Sequence, residues 1–447
     1  MASPEKRTIS VVGLGYVGFV TSLCLASKGY LVYGIDTLPE VVDAANQGYL
    51  PFFEPKLDDL LKKALKTKRF LATLDYNEAI PSSDLVFITV GTPSDEQGAV
   101  NLTHIQEAAT KIGSSMDNRY RIIVVKSTVV PGTTDGLILP LLEKNSGLKA
   151  GKDFGLCMNP EFLKEGSAVD DFLHPDRTVI GGIDSKSIDF LEQFFKPFGG
   201  PILKTNTRTA EMIKYANNAF LATKVSFINE IANICQLIEG IDVKDVAQGI
   251  GLDYRISPKF LRAGAGFGGS CFPKDLKGLI SFAKKRNYSP ILLEATLRLN
   301  EFQAQILINM ALSELKSLDH KKVAILGLAF KPNTSDMREA ASLRIINRLL
   351  KFKNIQICAY DPVALEEAQK ILGTKISYSS SLEDCLRNAD VCFIVTEWDE
   401  FKNLSPSVFK TLMKTPIIVD GRKIYDVASF SKETTILQIG FRPFMAE

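Results

Sequence analysis

The chain has 447 residues, a formal charge of +2 and 45% apolar residues, enough for two or three domains with cores of their own. The near balance of charge removes the electrostatic case for nucleic acid or a membrane surface as partner. No apolar run approaches the roughly 18 residues of a membrane span.

The first element is the β-branched run Thr8–Val12, which leads into Gly13-Leu14-Gly15-Tyr16-Val17-Gly18. A helix is expected from Phe19 to Lys28, then a second strand from Tyr30 to Ile35 that ends in Asp36. In this order, Gly13 serves the tight turn, Gly15 lets a pyrophosphate approach, and Gly18 lets helix and strand pack closely. Asp36 would accept hydrogen bonds from ribose hydroxyls and repel a 2′-phosphate, so the expected dinucleotide is NAD rather than NADP. Further apolar strands follow at Asp84–Val90 and Arg121–Val125. The order recurs near the C-terminus: Lys322–Gly327, Ile355–Tyr360 leading to Asp361, Asp390–Val395 and Pro416–Asp420. Near-continuous apolar strands alternating with helical segments indicate parallel sheets covered on both faces. The fold class is therefore α/β, with two Rossmann-like, doubly wound parallel-sheet domains. The second carries Gly327-Leu328-Ala329-Phe330-Lys331 in place of the glycine fingerprint and should bind something other than the dinucleotide.

Between them, Thr207 to about Gly240 reads as one long helix, and a second helical segment runs from about Ile291 to Leu318. The expected division is an NAD-binding domain (1–206), a central helical dimerisation domain (207–318) and a second Rossmann-like domain (319–447). Lys214 and Asn218 are four apart and share a helix face. Gly266-Phe267-Gly268-Gly269-Ser270-Cys271-Phe272-Pro273-Lys274-Asp275 sets one cysteine on a glycine-rich turn. Pro273 suits the first position of a helix, which would leave Cys271 at its N-terminus, where free N–H groups favour a thiolate. Asp275 would follow about one turn on. The other six cysteines (Cys24, Cys157, Cys235, Cys358, Cys385 and Cys392) sit in apolar or helical contexts and read as core filler. No paired metal-ligand spacing appears, so no metal is expected. The opening Met-Ala-Ser-Pro-Glu-Lys-Arg has no signal-peptide character, and unpaired thiols suit the reducing cytoplasm.

These motifs resemble those of the UDP-glucose 6-dehydrogenases, within the nucleotide-sugar dehydrogenase family. The resemblance also rests on Val90-Gly91-Thr92-Pro93, Lys126-Ser127-Thr128-Val129, Asn159-Pro160-Glu161-Phe162-Leu163-Lys164-Glu165-Gly166 and Asp420-Gly421-Arg422. It implies a four-electron oxidation of a sugar 6-hydroxyl to a carboxylate in two hydride transfers to NAD, through a thiohemiacetal and a thioester on Cys271. Lys214 would stabilise oxyanions at C6, with Asn218 assisting. Asp275 would hold a water near Lys214, Glu161 would be the general acid/base of hydrolysis, and Thr128 would position a water. Only three histidines exist, none in these motifs, so acid–base work falls to carboxylates, lysine and water. Glu161 and Glu165 are four apart; a helical turn would set both on one face and push one pKa upward.

By the same resemblance, the cofactor would be held by Gly13, Gly15, Tyr16, Val17, Gly18, Asp36, Thr92, Thr128, Glu165, Lys274 and Arg338. The sugar nucleotide would meet Phe162, Leu163, Lys164 and Glu165, then Lys214 and Asn218. The loop Phe260-Leu261-Arg262-Ala263-Gly264 with Gly268 would cover the uridine and pyrophosphate. Arg255, Lys331 and Arg422 would supply cations, Arg255 reaching a neighbouring subunit of a homodimer or larger homo-oligomer. Val41 departs from the pattern, standing where the family usually has a lysine or arginine that touches the adenosine. The segment around Cys271 favours UDP-glucose, with GDP-mannose the nearest rival. Two other classes remain: a single-step β-hydroxyacid dehydrogenase, which would leave the C-terminal domain idle, and a non-catalytic nucleotide-sugar sensor.

Overall fold

The computed structural model describes residues 7–95 and 97–443, so the signal-peptide expectation for the first residues falls outside it. The chain forms two compact units. One comprises residues up to Asn217 with Lys277–Arg286, and the other Asn218–Leu276 with Asn287 onward.

The first unit is built on an eight-stranded sheet: β1 (Thr8–Val12), β2 (Leu31–Ile35), β3 (Phe70–Thr73), β4 (Leu85–Ile88), β5 (Ile122–Val125), β6 (Gly155–Met158), β7 (Thr178–Gly182) and β8 (Ile202–Thr205). Their spatial order is 3-2-1-4-5-6-7-8. All neighbours are parallel except β6 and β7, which pair Cys157 with Gly182 in antiparallel register. Period-two alternation sorts the strand side chains between two apolar cores. Ile9, Val11, Leu85, Phe87, Ile122 and Val124 enter one; Val12, Val86, Ile88, Ile123 and Val125 enter the other. Burial on both faces is why these strands read as continuous apolar runs.

The second unit carries a six-stranded, all-parallel sheet: β9 (Lys322–Leu326), β10 (Gln356–Tyr360), β11 (Ser377–Tyr378), β12 (Val391–Ile394), β13 (Ile417–Asp420) and β14 (Thr435–Gln438). Its order is 11-10-9-12-13-14. In each sheet the strand order reverses beside its first strand, the crevice where doubly wound folds take ligands. The expected helices form as Tyr16–Ser27, Thr207–Cys235, Phe272–Lys284 and Ile291–Leu315. No helix among the described residues is long and apolar enough to cross a membrane.

Candidate active site

The first crevice is shaped by its glycines. Gly13 has φ +96°, and a Cβ there would lie 2.9 Å from the Val90 backbone. A Cβ on Gly18 would lie 1.8 Å from the Gly13 carbonyl oxygen, whereas Gly15 faces open space. The helix Tyr16–Ser27 starts directly after Gly15, with no side-chain cap and no acid in its first turn. Its free N–H groups and dipole suit an anion. Gly13, Gly15, Asp36, Thr37, Tyr76 and His104 line a cleft of about 290 Å³. Asp36 sits at the end of β2, where it accepts from the Leu14 (2.7 Å), Thr37 (2.7 Å) and Leu38 (3.1 Å) amides and stays half-exposed. The cradle, uncapped helix and terminal acid fit NAD. Val41, where the resemblance implies a cation, packs against the apolar core.

Other expected cofactor residues divide. Thr92 Oγ1 donates to the Thr128 carbonyl oxygen at 2.8 Å, which joins two of them. Tyr16 instead donates to Glu54 at 2.5 Å, and Glu54 also accepts from the Gly166 and Ala168 amides. Burial, with Glu54 next to it, pushes the Tyr16 phenol well up.

The second crevice has the same turn with a different use. Gly327 has φ +97°, and Asp361 takes the position of Asp36 at the strand end. Asp361 is fully buried and accepts five N–H groups. Its Oδ2 takes Leu328 (2.7 Å), Ala329 (3.1 Å) and Trp398 Nε1 (3.1 Å), and its Oδ1 takes Val363 and Ala364 (3.0 Å each). The acid that faces a cleft in the first unit is a structural acceptor in the second.

Within the first unit, Glu161 and Lys214 form a buried ion pair at 2.8 Å, with side chains only 7% and 3% exposed. Glu161 also accepts from the Leu163 amide at 2.6 Å. Burial raises the Glu161 carboxyl, but Lys214, the Leu163 amide and Lys126 outweigh it and hold it below the usual range. This corrects the expected Glu161–Glu165 pair. Residues 161–164 are not helical and 165–167 form a turn, so the two acids do not share a helix face, and the Glu161 pKa moves down. Arg177 stacks 3.6 Å from the Phe162 ring centroid and donates to Asn217 at 2.7 Å. Lys164 pairs with Asp171 at the surface.

Within the second unit, Cys271 caps the helix Phe272–Lys284: its carbonyl accepts the Asp275 amide at 2.8 Å. It is half-buried, and all six other cysteines are buried. The Asp275 carboxylate, 2% exposed, accepts from Asn218 Nδ2 (2.6 Å) and Lys274 Nζ (2.7 Å). The preceding turn is packed backbone to backbone. Gly269, at φ +84°, donates to the Arg338 carbonyl and lies against the Phe330 ring, and Gly268 lies against the Glu339 carbonyl. Asn300 fastens the Phe267 amide and carbonyl at 2.7 and 3.0 Å.

Around it, Phe272 is 6.2 Å from Phe260 and 6.0 Å from Phe267. Lys331 lies 5.3 Å over Phe330, and Arg338 pairs with Asp336. Arg422 and Arg262 converge on Glu397 at 3.3 and 3.9 Å, and Gly264 lies beside the Arg422 guanidinium. Burial raises Glu397, but the two guanidiniums hold it below the usual carboxylate range. Leu261 is buried in the core, while Arg255 is exposed on Asp253.

Three groups escaped the sequence reading as individual residues. Lys126, Asn159 and Glu397 bind to partners distant in sequence. Only an ionisable residue at the end of an apolar strand hints at Lys126 and Glu397.

The glycine cradle, the uncapped helix and the acid at the end of β2 define a dinucleotide-binding unit of the dehydrogenase kind. The chain belongs to the UDP-glucose/GDP-mannose dehydrogenase family. That family's NAD-binding domain matches residues 7–199, its central domain 208–302 and its UDP-binding domain 324–427. It is thus an NAD-dependent enzyme. The UDP-glucose 6-dehydrogenase TuaD of Bacillus subtilis is 43% identical over 421 residues, 94% of this chain and 90% of the relative. A UDP-glucose dehydrogenase structure from the archaeon Pyrobaculum islandicum is 35% identical, with a TM-score of 0.90 and 99% of each chain covered. A UDP-D-ManNAc dehydrogenase structure from Pyrococcus horikoshii is 29% identical, with a TM-score of 0.86 and coverage of 97% and 99%.

Proposed function

We propose that this enzyme oxidises the C6 alcohol of UDP-glucose to the carboxylate of UDP-glucuronate, in two oxidations joined by a covalent intermediate on Cys271. The observation that carries the reading is that Cys271 alone among seven thiols is not buried, and that it heads a 13-residue helix. NAD, when bound, supplies the hydride acceptor for both oxidations. One alcohol, two NAD+ and one water give one carboxylate, two NADH and three protons.

The thiol has a definite purpose. Its addition to the C6 aldehyde makes a thiohemiacetal, which is again an alcohol and can lose a second hydride, and the resulting thioester is open to water. Lys214 stabilises the oxygen that becomes anionic at C6. Asp275 and Asn218 order the head of the cysteine helix. Glu161 takes the proton of the hydrolytic water, which Thr128 helps to position. Arg262, Arg422, Lys331 and Arg255 are cations for the diphosphate and sugar hydroxyls, with arginine's planar fork suited to phosphate oxygens. We retain the division at 206 and 318, with NAD on the first domain and the uridine diphosphate on the third.

A homodimer fits the second unit. Phe220, Phe227 and Ile234 recur at sevenfold spacing on the helix Thr207–Cys235 and are exposed. Phe227, Leu292 and Phe302 line a groove of about 560 Å³ there. An apolar stripe of this kind is what a second copy covers. Seven free cysteines suit a reducing compartment such as the cytoplasm.

The test is the number of NADH formed per UDP-glucose consumed at completion, with NAD in excess. Two supports the four-electron reaction, and Cys271→Ala then abolishes it. One means the reaction stops at the aldehyde, and none transfers the question to GDP-mannose.

A further inference from the structure

Lys126 follows β5 and is only 5% exposed, with its ammonium inside the first unit. A buried ammonium is costly unless something repays its lost hydration. Its Nζ donates to Asn159 Oδ1 at 3.0 Å. Asn159 Nδ2 donates to the Val179 carbonyl at 2.8 Å, which fixes the amide with its oxygen toward Lys126. The rings of Phe172 and Phe195 stand 5.7 and 6.0 Å from Nζ. Lys126, Asn159 and Glu161 share the wall of a cavity of about 50 Å³, large enough for water. Burial pushes Lys126 down to about 8, and the nearby Glu161 charge works against that fall.

Charged groups face Glu161 from several elements. Lys214 comes from the long helix and Lys126 from the end of β5. Arg177 stands just before β7, and Asp171 and Asp176 lie on the same cavity wall. One carboxylate therefore sits within reach of two buried ammoniums that differ in kind. Lys214 is on the carboxylate at 2.8 Å, whereas Lys126 is held to the side by an amide that cannot titrate.

The difference matters if the function proposed above holds, and the inference rests on that reading. Lys214 is then drawn to an oxygen of the substrate each time negative charge develops there. With Lys214 as its single counter-ion, a buried Glu161 would take up a proton at that moment and cease to be a base. We propose that Lys126 is a positioning residue, a fixed counter-ion that keeps Glu161 ionised while Lys214 serves the substrate.

The test reads Glu161 in the free enzyme. Infrared difference spectra of the protein against Glu161→Gln give the ionisation midpoint of that carboxyl. Lys126→Gln is expected to raise the midpoint by about 1 pH unit or more, the effect of removing a buried cation from the wall of the same cavity. The acid limb of kcat should move by the same amount, with the KM for the sugar within about threefold. Lys126→Arg, which keeps the charge, should leave both where they are in the parent. The reciprocal measurement covers a Lys126→Gln protein that does not fold. The Lys126 midpoint, followed by isotope-labelled lysine NMR, must fall in Glu161→Gln by the same amount, because coupling is mutual. An unmoved midpoint in either experiment overturns the proposal, as does a Lys126→Arg shift as large as that of Lys126→Gln. Neither spectrum requires substrate, so failure to oxidise UDP-glucose would refute the functional reading separately.

Discussion

Replacing Asp361 by asparagine tests whether the second crevice is a structural latch. The carboxylate accepts three N–H groups on Oδ2 and two on Oδ1. An amide presents one oxygen and one NH2, so even in its better orientation the NH2 confronts two donors. Each buried donor left unmade costs about 1–3 kcal/mol, so the change should destabilise this unit by about 2–6 kcal/mol. That is a large share of a typical domain stability of about 5–15 kcal/mol. With a urea dependence of about 2–3 kcal/mol/M, the midpoint falls by about 0.7–3 M. The assay is built in: Trp398 is the single tryptophan of the chain and donates to Asp361 itself, so its fluorescence reports this unit. Asp36→Asn is the control and should leave that midpoint in place. A fall of less than about 0.3 M in Asp361→Asn would refute the latch, since it lies below the cost of one orphaned donor.

Asp36→Asn should also raise kcat/KM with NADP relative to NAD by at least about tenfold, or 1.4 kcal/mol, because it removes the charge that repels a 2′-phosphate. An unchanged ratio in steady-state assays would separate Asp36 from cofactor choice. Lys214→Met should destabilise the protein by about 3–5 kcal/mol at neutral pH, because the buried Glu161 carboxylate loses its bonded ammonium and keeps only the weaker influence of Lys126. In the parent, Glu161 is depressed, so its contribution is complete above the ordinary carboxylate pKa and is lost as pH falls through the lower folded value. In Lys214→Met the carboxyl rises, and protonation relieves the burial. The stability gap to the parent should therefore narrow between pH 7.5 and 5.5 in urea melts, and a constant gap would contradict this. Phe227→Glu, on the exposed groove, should yield a monomer by sedimentation velocity. An unaltered mass would move the interface elsewhere.

Much of the fold could be read because parallel strands buried on both faces leave near-continuous apolar runs, three of which (β2, β10 and β13) run into an acid. β1, β2, β4 and β5, and later β9, β10, β12 and β13, lie within a residue or two of their expected limits. Strands without that signature escaped notice. β3 and β8 have exposed residues, β11 has two residues, and β6 is the short run Gly-Leu-Cys-Met that forms the antiparallel pair with β7. The mistaken Glu161–Glu165 turn has a local cause: Pro160 precedes the segment, Gly166 closes it at φ +84°, and the Glu161 carboxylate folds back onto the Leu163 amide. The cysteine turn was legible because glycines, proline and Asp275 act over one helical turn. Lys126 and Glu397 were not, since what distinguishes them is the company they keep across the fold.

The placement of the thiols makes this chain its own reporter. With six of seven sulfurs in the cores of the two units and one at a helix mouth, a thiol-reactive dye reads folding as stoichiometry. Native molecules offer one fast equivalent, and unfolded chains offer seven. The same partition leaves an electrophile aimed at Cys271 no exposed competing thiol on the folded molecule. Labelling and mass spectrometry can then count folded chains with an accessible Cys271 before any substrate is added.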